Sequence, residues 1–528
     1  MKVCILAAGK GTRMGIYGNM AHKGLLPVGN KAVISHIIAA LGPEKEYILA
    51  VHPDESAIPD YLTIAHPGLR FHCVAVENHD GPGSGPGQSL HECREFLKEP
   101  FYFIACDTLI EGELPPEKGN WIGVRKVDHP QQYCTVAVDG QGRVTRLHYR
   151  DPDHWTPLAF IGLAFVKDYE PFWEALASNE LVAGEKQVIN GLLGLLPRGL
   201  GTAALTWRDT GSAEAYEAAL AHYEKNYTFQ GKTTDITYRI GDRIIKYFRN
   251  PEITHQRYER GLGEAGLFVE TLERRGCFFA TRFIPQAGLL SSRMGHASCR
   301  EFLEWAQAHL WRAVAVEESR FQAICRRFYM DKTLLRLENY NRRFPAHEQT
   351  GELVINGLAC ATAQSLVERL TDRFHRGAMP SGFHGDLHAD NVLVDARGAF
   401  HLIDWRQTFG GAMDVGDRYY DLAKFLHTLE LSVDTMDRGR FTLTRCTSGV
   451  TLDHHCAFRE LDALGAFWNF VATFGYDAER IRIIDAMIFL NMAPLYDEPM
   501  AVYLYHLGRY LLQSAQDRDT ASEYFRPA

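Results

Sequence analysis

The sequence predicts two domains in series, an α/β domain on a mostly parallel sheet and then a largely helical domain fronted by a β-hairpin. Three observations carry this. At 528 residues the chain is too long for one hydrophobic core and fits two or three domains. Over residues 1–225 short apolar runs alternate with helical patterns, the mark of strands joined by helices. A polar, turn-rich stretch, Thr228-Phe-Gln-Gly-Lys-Thr-Thr-Asp235, then breaks the pattern, giving a linker at 226–231 and a second domain at 232–528.

Taken in order, Lys2–Ala7 reads as a buried strand and Ala32–Leu41 as a helix with one apolar face. Tyr47–His52 and Phe71–Val76 read as strands, Ser89–Leu97 as a helix after a glycine-rich loop, and Phe101–Cys106 as a strand ending at Asp107. In the second domain, Ile236–Ile240 and Arg243–Phe248 flank Gly241-Asp242 as a hairpin. Helical patterns follow, interrupted by a strand–loop–strand block from Phe383 to Trp405.

Composition narrows the function classes. A net charge of −9 argues against non-specific binding to nucleic acid or to anionic membranes. No apolar run approaches the roughly 20 residues that span a bilayer. The start, Met1-Lys2-Val3-Cys4-Ile5-Leu6, reads as a first strand rather than a signal peptide. Eleven scattered cysteines without a C-x-x-C pair read as reduced thiols, and the cytoplasm is the expected compartment. Oligomeric state is not legible.

The segment Leu6-Ala-Ala-Gly-Lys-Gly-Thr-Arg-Met14 sets Gly9 and Gly11 directly after the first strand. Lacking a Cβ, they let backbone N–H groups approach a phosphate closely. Arg13 adds a forked donor for phosphate oxygens, and Lys23, in His22-Lys-Gly-Leu-Leu-Pro-Val28, adds a second cation. Mg²⁺ uses one or two carboxylates beside substrate phosphates, and Asp107 at a strand end is placed for that or, on its own, for capping a loop. Asp80-Gly-Pro-Gly-Ser-Gly-Pro-Gly-Gln-Ser-Leu90 alternates glycine with proline and serine just before a helix. That suits a loop passing close to a nucleobase, with a helix N-terminus open to an anion, or alternatively a structural turn.

The whole block resembles the signature of the sugar-phosphate and phosphocholine nucleotidyltransferase family, over about 225 residues. The resemblance implies a Rossmann-like domain in which a substrate phosphate attacks the α-phosphate of an NTP and pyrophosphate leaves. It places Ala8, Gly9, Gly11, Thr12 and Arg13 around the triphosphate and Lys23 against charge developing there. It places Gly85, Gly87 and Ser89 beside the base, and Asp107 on Mg²⁺ together with Asp209 of Trp207-Arg-Asp-Thr-Gly211. The Ser89-Leu90 ending is closer to the cytidylyltransferases, so CTP is the expected NTP. Leu147-His-Tyr-Arg-Asp-Pro152 departs from the sugar-nucleotide pattern, with Arg150 where a lysine would stand.

In the second domain Phe383-His-Gly-Asp-Leu-His-Ala-Asp-Asn-Val-Leu393 precedes Leu402-Ile-Asp-Trp405. Phosphoryl transfer from ATP needs an aspartate beside the acceptor and two metal-binding groups beside the phosphates. Asp386 is the candidate base, with Asn391 and Asp404 the candidate Mg²⁺ ligands. The block resembles the aminoglycoside phosphotransferase and choline kinase family, relatives of the protein kinases, from about 232 to 510. That implies a protein-kinase-like α+β fold, with Lys246 of Arg243-Ile-Ile-Lys-Tyr-Phe248 on the ATP phosphates. Glu259 or Glu264 is its expected partner, and Ile284, in Phe279-Ala-Thr-Arg-Phe-Ile-Pro285, lies on the adenine hinge. Asp417, Asp421 and His384 read as braces of the catalytic loop. Trp468, Phe467, Phe470, Tyr503 and Tyr505 read as packing in preference to a quaternary-ammonium cage.

The two halves together imply coupled steps. ATP phosphorylates a small alcohol, amino alcohol or sugar, and the second enzyme caps the phosphate ester with a nucleoside monophosphate. Activated donors of this kind serve surface polysaccharide or lipid decoration; the alternatives are a sugar kinase joined to a UDP- or GDP-sugar pyrophosphorylase, and a non-catalytic nucleotide-sensing regulatory protein.

Overall fold

The computed structural model describes residues 1–149, 154–178, 180–182, 184–223, 235–264, 266–345, 351–370, 374, 377–447, 449–456, 458 and 461–517. The linker 226–231 and Arg150 lie outside the described residues.

Strand β1 (Lys2–Ala7) is apolar on both faces because it is buried on both: Val3 and Ile5 enter one core, Cys4 the other. Around it, β2 (Glu46–Val51), β3 (Arg70–Ala75) and β4 (Phe101–Ala105) run parallel, in the order β3-β2-β1-β4. The connections carry α1 (Val33–Leu41), α2 (Ala57–Ala65) and α3 (Pro86–Glu92). The change of direction from β2 to β4 across β1 is the switch point at which open α/β sheets bind ligands.

Beyond β4 the sheet departs from the mostly parallel expectation. Strands β6 (Asn120–Lys126), β7 (Cys134–Val138), β8 (Val144–Tyr149) and β9 (Leu158–Val166) join chiefly antiparallel, β9 pairing with β4, β6 and β7. Only β10 (Leu200–Ala204) is added parallel there, to β6. The five residues between β7 and β8 are too few for a crossover, so they close a hairpin. Outside this nine-stranded sheet, β5 (Thr108–Glu111) pairs antiparallel with β11 (Thr206–Asp209), in the register Thr108↔Asp209.

The hairpin after the linker forms as expected, β12 (Asp235–Ile240) against β13 (Arg243–Phe248), with Ile240 opposite Arg243. With β14 (Thr271–Arg275) and β15 (Phe278–Arg282) it makes a four-stranded sheet, order β12-β13-β15-β14. The compact units do not follow the sequence-order division at 225 and 232. The first comprises Met1–Thr254 and Leu272–Phe283, the second His255–Thr271 and the chain from Ile284 on. The reason is apolar: Ile236, Tyr238, Ile245, Tyr247, Phe278 and Ala280 lie in the same core as Val3, Leu25 and Tyr61. Tyr61 packs on Tyr238 and Phe278 at ring-centroid distances of 4.9 and 5.7 Å. The Tyr238 hydroxyl donates to the Leu25 carbonyl at 2.5 Å.

The second unit is largely helical; a short hairpin, β16 (Val392–Val394) with β17 (Phe400–Leu402), lies among the helices, and two further hairpins within 353–360 and 441–454 form a separate four-stranded sheet. After α4 (Tyr169–Leu176), α5 (Val188–Leu193), α6 (Ala213–His222) and α7 (Pro251–Gly263) in chain order, the unit's main helices are α8 (His296–His309), α9 (Glu318–Arg326), α10 (Lys332–Arg343), α11 (Arg418–Glu430), α12 (Ala463–Thr473), α13 (Ala478–Met492) and α14 (Met500–Gln516). One π-helical turn, Arg327–Asp331, joins α9 to α10 and buries Phe328, Tyr329 and Met330. Among the described residues no helix is long and apolar enough to cross a membrane.

Candidate active sites

The N-terminal site forms where β1 and β4 end side by side. Cys106 N–H donates to the Leu6 carbonyl, which brings Asp107 level with Ala7 and Ala8. Lys23 reaches in from a short turn, its Nζ 2.7 Å from Asp107 Oδ2, and both side chains are largely buried. Asp209 arrives through the β5–β11 pairing. A Cβ placed on Gly211 would lie 2.9 Å from Asp107 Oδ2 and 3.1 Å from Asp209 Oδ1, so both carboxylates flank one small space that any side chain would fill.

Charge in this space is unevenly settled. Burial works against the Asp107 carboxylate, but Lys23 and Arg13 hold its pKa below the ordinary value. Burial raises the Asp209 pKa, and the neighbouring Asp107 raises it further. Burial also disfavours the Lys23 ammonium, yet Cys106 and Asp107 keep its pKa above the usual lysine value. Two converging carboxylates with only one bonded cation fit a divalent ion that completes its shell with water and phosphate oxygens. Asp107 and Asp209 are the residues that would hold it. Among the described residues no group of three or more His, Cys, Asp or Glu side chains offers a protein-only cage.

Of the phosphate-loop residues, Ala8 is buried, Gly9, Thr12 and Arg13 are exposed, and Gly11 has φ 63°, the left-handed region that glycine tolerates. Gly11 leads into the turn Thr12–Asn19, whose Arg13 acts electrostatically on Asp107, Asp209 and Lys23 together. The glycine-rich loop has a reason of its own. Gly87 N–H donates to the Lys186 carbonyl, and a Cβ on Gly85 or Gly87 would fall 2.8 or 2.6 Å from the backbone at Lys186 or Gln187. The Ser89 hydroxyl turns back onto the Gly85 carbonyl at 3.3 Å. The close approach at these two glycines is therefore to the protein's own chain.

Sequence reasoning missed His22. Gly24 N–H donates to its Nδ1 at 3.1 Å, so the neutral ring donates from Nε2 to the Ala7 carbonyl at 3.0 Å. Burial, and then Lys23, lower its pKa to about 4. His22 thereby ties the Lys23 turn to the end of β1. Its position one residue before the lysine was the only sequence signal.

In the C-terminal unit the β16–β17 hairpin sets the second site. Ile403 N–H donates to the Asn391 carbonyl, so Asn391 and Asp404 are held beside one another by backbone. The Asn391 amide N–H donates to the Asp386 carbonyl at 2.9 Å, and a cation would meet its oxygen. Asp404 has φ 61°, a strained conformation for a residue with a Cβ. An amide oxygen and a carboxylate at a hairpin mouth fit Mg²⁺ held jointly with ATP phosphates.

The loop is braced as the sequence suggests. Asp421 accepts from the N–H groups of His384 and Gly385 at 2.7 and 2.8 Å and from the Trp311 indole at 3.2 Å. Burial raises its pKa to about 6, against the pull of those bonds. His384 accepts at Nδ1 from Asp386 N–H and donates from Nε2 to the Ile403 carbonyl. Burial lowers its pKa to about 3. Asp417 accepts from Tyr329, Arg480, Met379 N–H and Tyr419 N–H. A further brace is Arg260, whose buried guanidinium donates to the Phe383 and Arg406 carbonyls.

Lys424 was not anticipated. Its Nζ stands 3.3 Å from Asp386 Oδ1, one turn past Asp421 on α11, and that i, i+3 spacing was the available signal. Lys246 is buried on β13, opposite Phe279 and Thr237, in the first unit. Ile284 is half-buried at the start of the second unit's main segment. Glu259 pairs with His255 at 3.6 Å, and Glu264 sits one turn from Arg260. The C-terminal aromatics pack: Tyr505 stacks on Tyr340 at 4.2 Å, and Tyr503 bonds His454 at 2.7 Å.

Comparison with known proteins assigns each part. A family model of the MobA-like NTP transferase domain matches residues 3–114, and one of the phosphotransferase enzyme family matches residues 272–445. Among curated proteins, the chain is 24% identical over 199 residues to the bifunctional protein GlmU of Methanococcus maripaludis strain C5, covering 37% of this chain and 42% of that protein. It is 24% identical over 239 residues to the low-salt glycan biosynthesis nucleotidyltransferase Agl11 of Haloferax volcanii, covering 40% and 63%. The chain spans less than two thirds of the length of either relative. A UDP-glucose pyrophosphorylase structure from Acinetobacter baumannii matches with a TM-score of 0.36 at 17% identity, over 42% of this chain and 92% of that one.

Proposed function

We propose that this chain, a nucleotidyltransferase domain joined to a phosphotransferase domain, catalyses two consecutive steps on one small molecule. In the first, ATP phosphorylates a hydroxyl of an alcohol, amino alcohol or sugar in the C-terminal unit. In the second, the resulting phosphate ester attacks the α-phosphate of an NTP, CTP by preference, and pyrophosphate leaves. The carrying observation is that each unit has its own acidic centre suited to Mg²⁺ and phosphate: Asp107 and Asp209 beside Lys23, and Asp404 and Asn391 beside Asp386.

The residues divide the work as follows. Lys23 and Arg13 offset charge on the triphosphate, while Asp107 and Asp209 orient the ion that screens repulsion between two phosphates. Ala8, Gly9, Gly11 and Thr12 line the triphosphate, and Gly85, Gly87 and Ser89 border the base. Asp386 takes the acceptor proton, Asn391 and Asp404 hold the ion on the ATP phosphates, and Ile284 serves the nucleotide. The activated product suits decoration of a surface glycan or lipid. Agl11, a glycan-biosynthesis nucleotidyltransferase by name, favours a sugar as the second reading, with a UDP- or GDP-sugar as product.

Pyrophosphate release from each of the four common NTPs, with ATP and a candidate alcohol present or absent, tests the scheme. Release that requires both ATP and the alcohol is expected, with CTP fastest. Release that ignores them sinks the coupling, and a preference for UTP or GTP selects the second reading.

A further inference from the structure

Around Lys332, which also feels the Asp386 carboxylate, the C-terminal unit gathers further cations, so that four come together from three stretches of chain. Lys424 of α11 is in direct contact with that carboxylate. Lys332, the first residue of α10, lays its ammonium over the Phe328 ring at 4.0 Å and the Tyr420 ring at 5.6 Å. Arg406, two residues past Asp404, lies over the same Phe328 ring at 5.2 Å. Arg336 is one helical turn from Lys332 on α10. The ring shared by Lys332 and Arg406 is buried and fixed: Phe328 belongs to the π turn, meets Tyr420 edge-on at 4.6 Å and stacks on Phe409 at 3.9 Å. Such turns are frequent at functional sites.

These cations are not settled by the protein. Among the described residues no carboxylate forms an ion pair with Lys332, Arg336 or Arg406. Burial lowers the Lys332 pKa, Arg406, Arg336 and Lys424 lower it further, and Asp386 is the carboxylate that opposes them. Half-buried like charges facing one carboxylate are unfavourable unless another anion joins them.

We infer that the acceptor is itself an anion: a small hydroxy compound with a carboxylate or phosphate group, held by Lys332, Arg336 and Arg406 while its hydroxyl meets Asp386. This rests on the reading of Asp386 as the base of the kinase step. The acceptor oxygen bonds to the γ-phosphorus as the bond from that phosphorus to the β,γ-bridging oxygen of ATP breaks. The hydroxyl proton passes to Asp386, ADP leaves, and the product carries its original anion plus a new phosphate ester. Amino alcohols such as choline and ethanolamine are disfavoured by the same charges.

The test is ADP release from matched acceptors: glycerol, D-glycerate, sn-glycerol 3-phosphate, glucose, glucuronate, ethanolamine and choline. Acidic members should exceed their neutral counterparts by about tenfold or more in kcat/KM. Lys332→Met and Arg336→Gln should raise KM for the acidic acceptor by a similar factor and leave KM for ATP unchanged. Preference for a neutral or cationic alcohol overturns the inference, as does a rise in KM for ATP alone, which would assign the cations to the nucleotide. Asp386→Asn with undiminished ADP release would instead remove the kinase reading. Should the panel miss the acceptor, titration of the full chain with inorganic sulfate, in the presence of a non-hydrolysable ATP analogue, decides the matter. Tighter binding by wild type than by either variant supports the inference, and equal binding overturns it.

Discussion

His22 and His384 do the same work in the two units. Each is neutral, each accepts at Nδ1 the N–H of the residue two places on, and each donates from Nε2 to a carbonyl at a strand end. One fixes the turn of Lys23, the other the loop of Asp386. The centres they brace differ in charge. Among the described residues, in the first, Lys23 is matched to Asp107 and Asp209 is left without a bonded cation; in the second, Lys424 is matched to Asp386 and Lys332, Arg336 and Arg406 are left without a bonded carboxylate. A surplus of negative charge asks for a metal, whereas a surplus of positive charge asks for an anionic substrate.

The sharpest way to break this contrast is to remove one centre at a time. Asp386→Asn should reduce ATP-dependent phosphorylation by about 10²–10⁴-fold, the scale of general base catalysis, while pyrophosphate release with a supplied phosphate ester stays within twofold. Loss of both activities in a folded protein would mean the centres are not independent. Gly211→Ala should do the reverse, because its methyl group would fill the space between Asp107 and Asp209. Pyrophosphate release should fall by about 100-fold or more, and added Mg²⁺ should recover little of it.

The shared bracing predicts a shared acid sensitivity. Both histidines have folded pKa values below the ordinary 6.5, about 4 for His22 and about 3 for His384. Their stabilisation is complete above pH 6.5 and is lost as pH falls through those values, by up to about 3 and 5 kcal/mol respectively. Thermal unfolding between pH 7 and pH 3 should show this slope, and His22→Asn should flatten its share. A slope unchanged in that variant would place the sensitivity elsewhere. The smallest effect concerns the glycine-rich loop. Gly87→Ala should cost about 1–3 kcal/mol of stability by pressing on the Gln187 backbone. A change in KM for the NTP without loss of stability would give that glycine a role at the base alone.

Legibility in the sequence followed the range of the signal. Strand β1 and the Gly241 hairpin are local patterns, and each formed where it was read. Lys332 and Arg406 were invisible because they meet on one aromatic ring from distant stretches, and a lone lysine on a helix looks solvated. The antiparallel half of the first sheet was missed because an apolar run such as Leu158–Val166 has the same composition whichever way it points. The loop Gly81–Gly87 announced that backbone passes close by, but not whose backbone it was.

The hairpin carrying Lys246 has a consequence for how the molecule is made. Its Tyr238 and Tyr247, with Phe278 further on, complete the apolar interior begun by Val3, Leu25 and Tyr61. A nascent chain that stops at residue 223 therefore leaves the ribosome with part of that interior wet, and only synthesis through Arg282 closes it. Cutting the gene between 223 and 235 would yield two fragments that each expose greasy surface. Excising Lys246 along with its strand would be felt first as insolubility of the upstream enzyme.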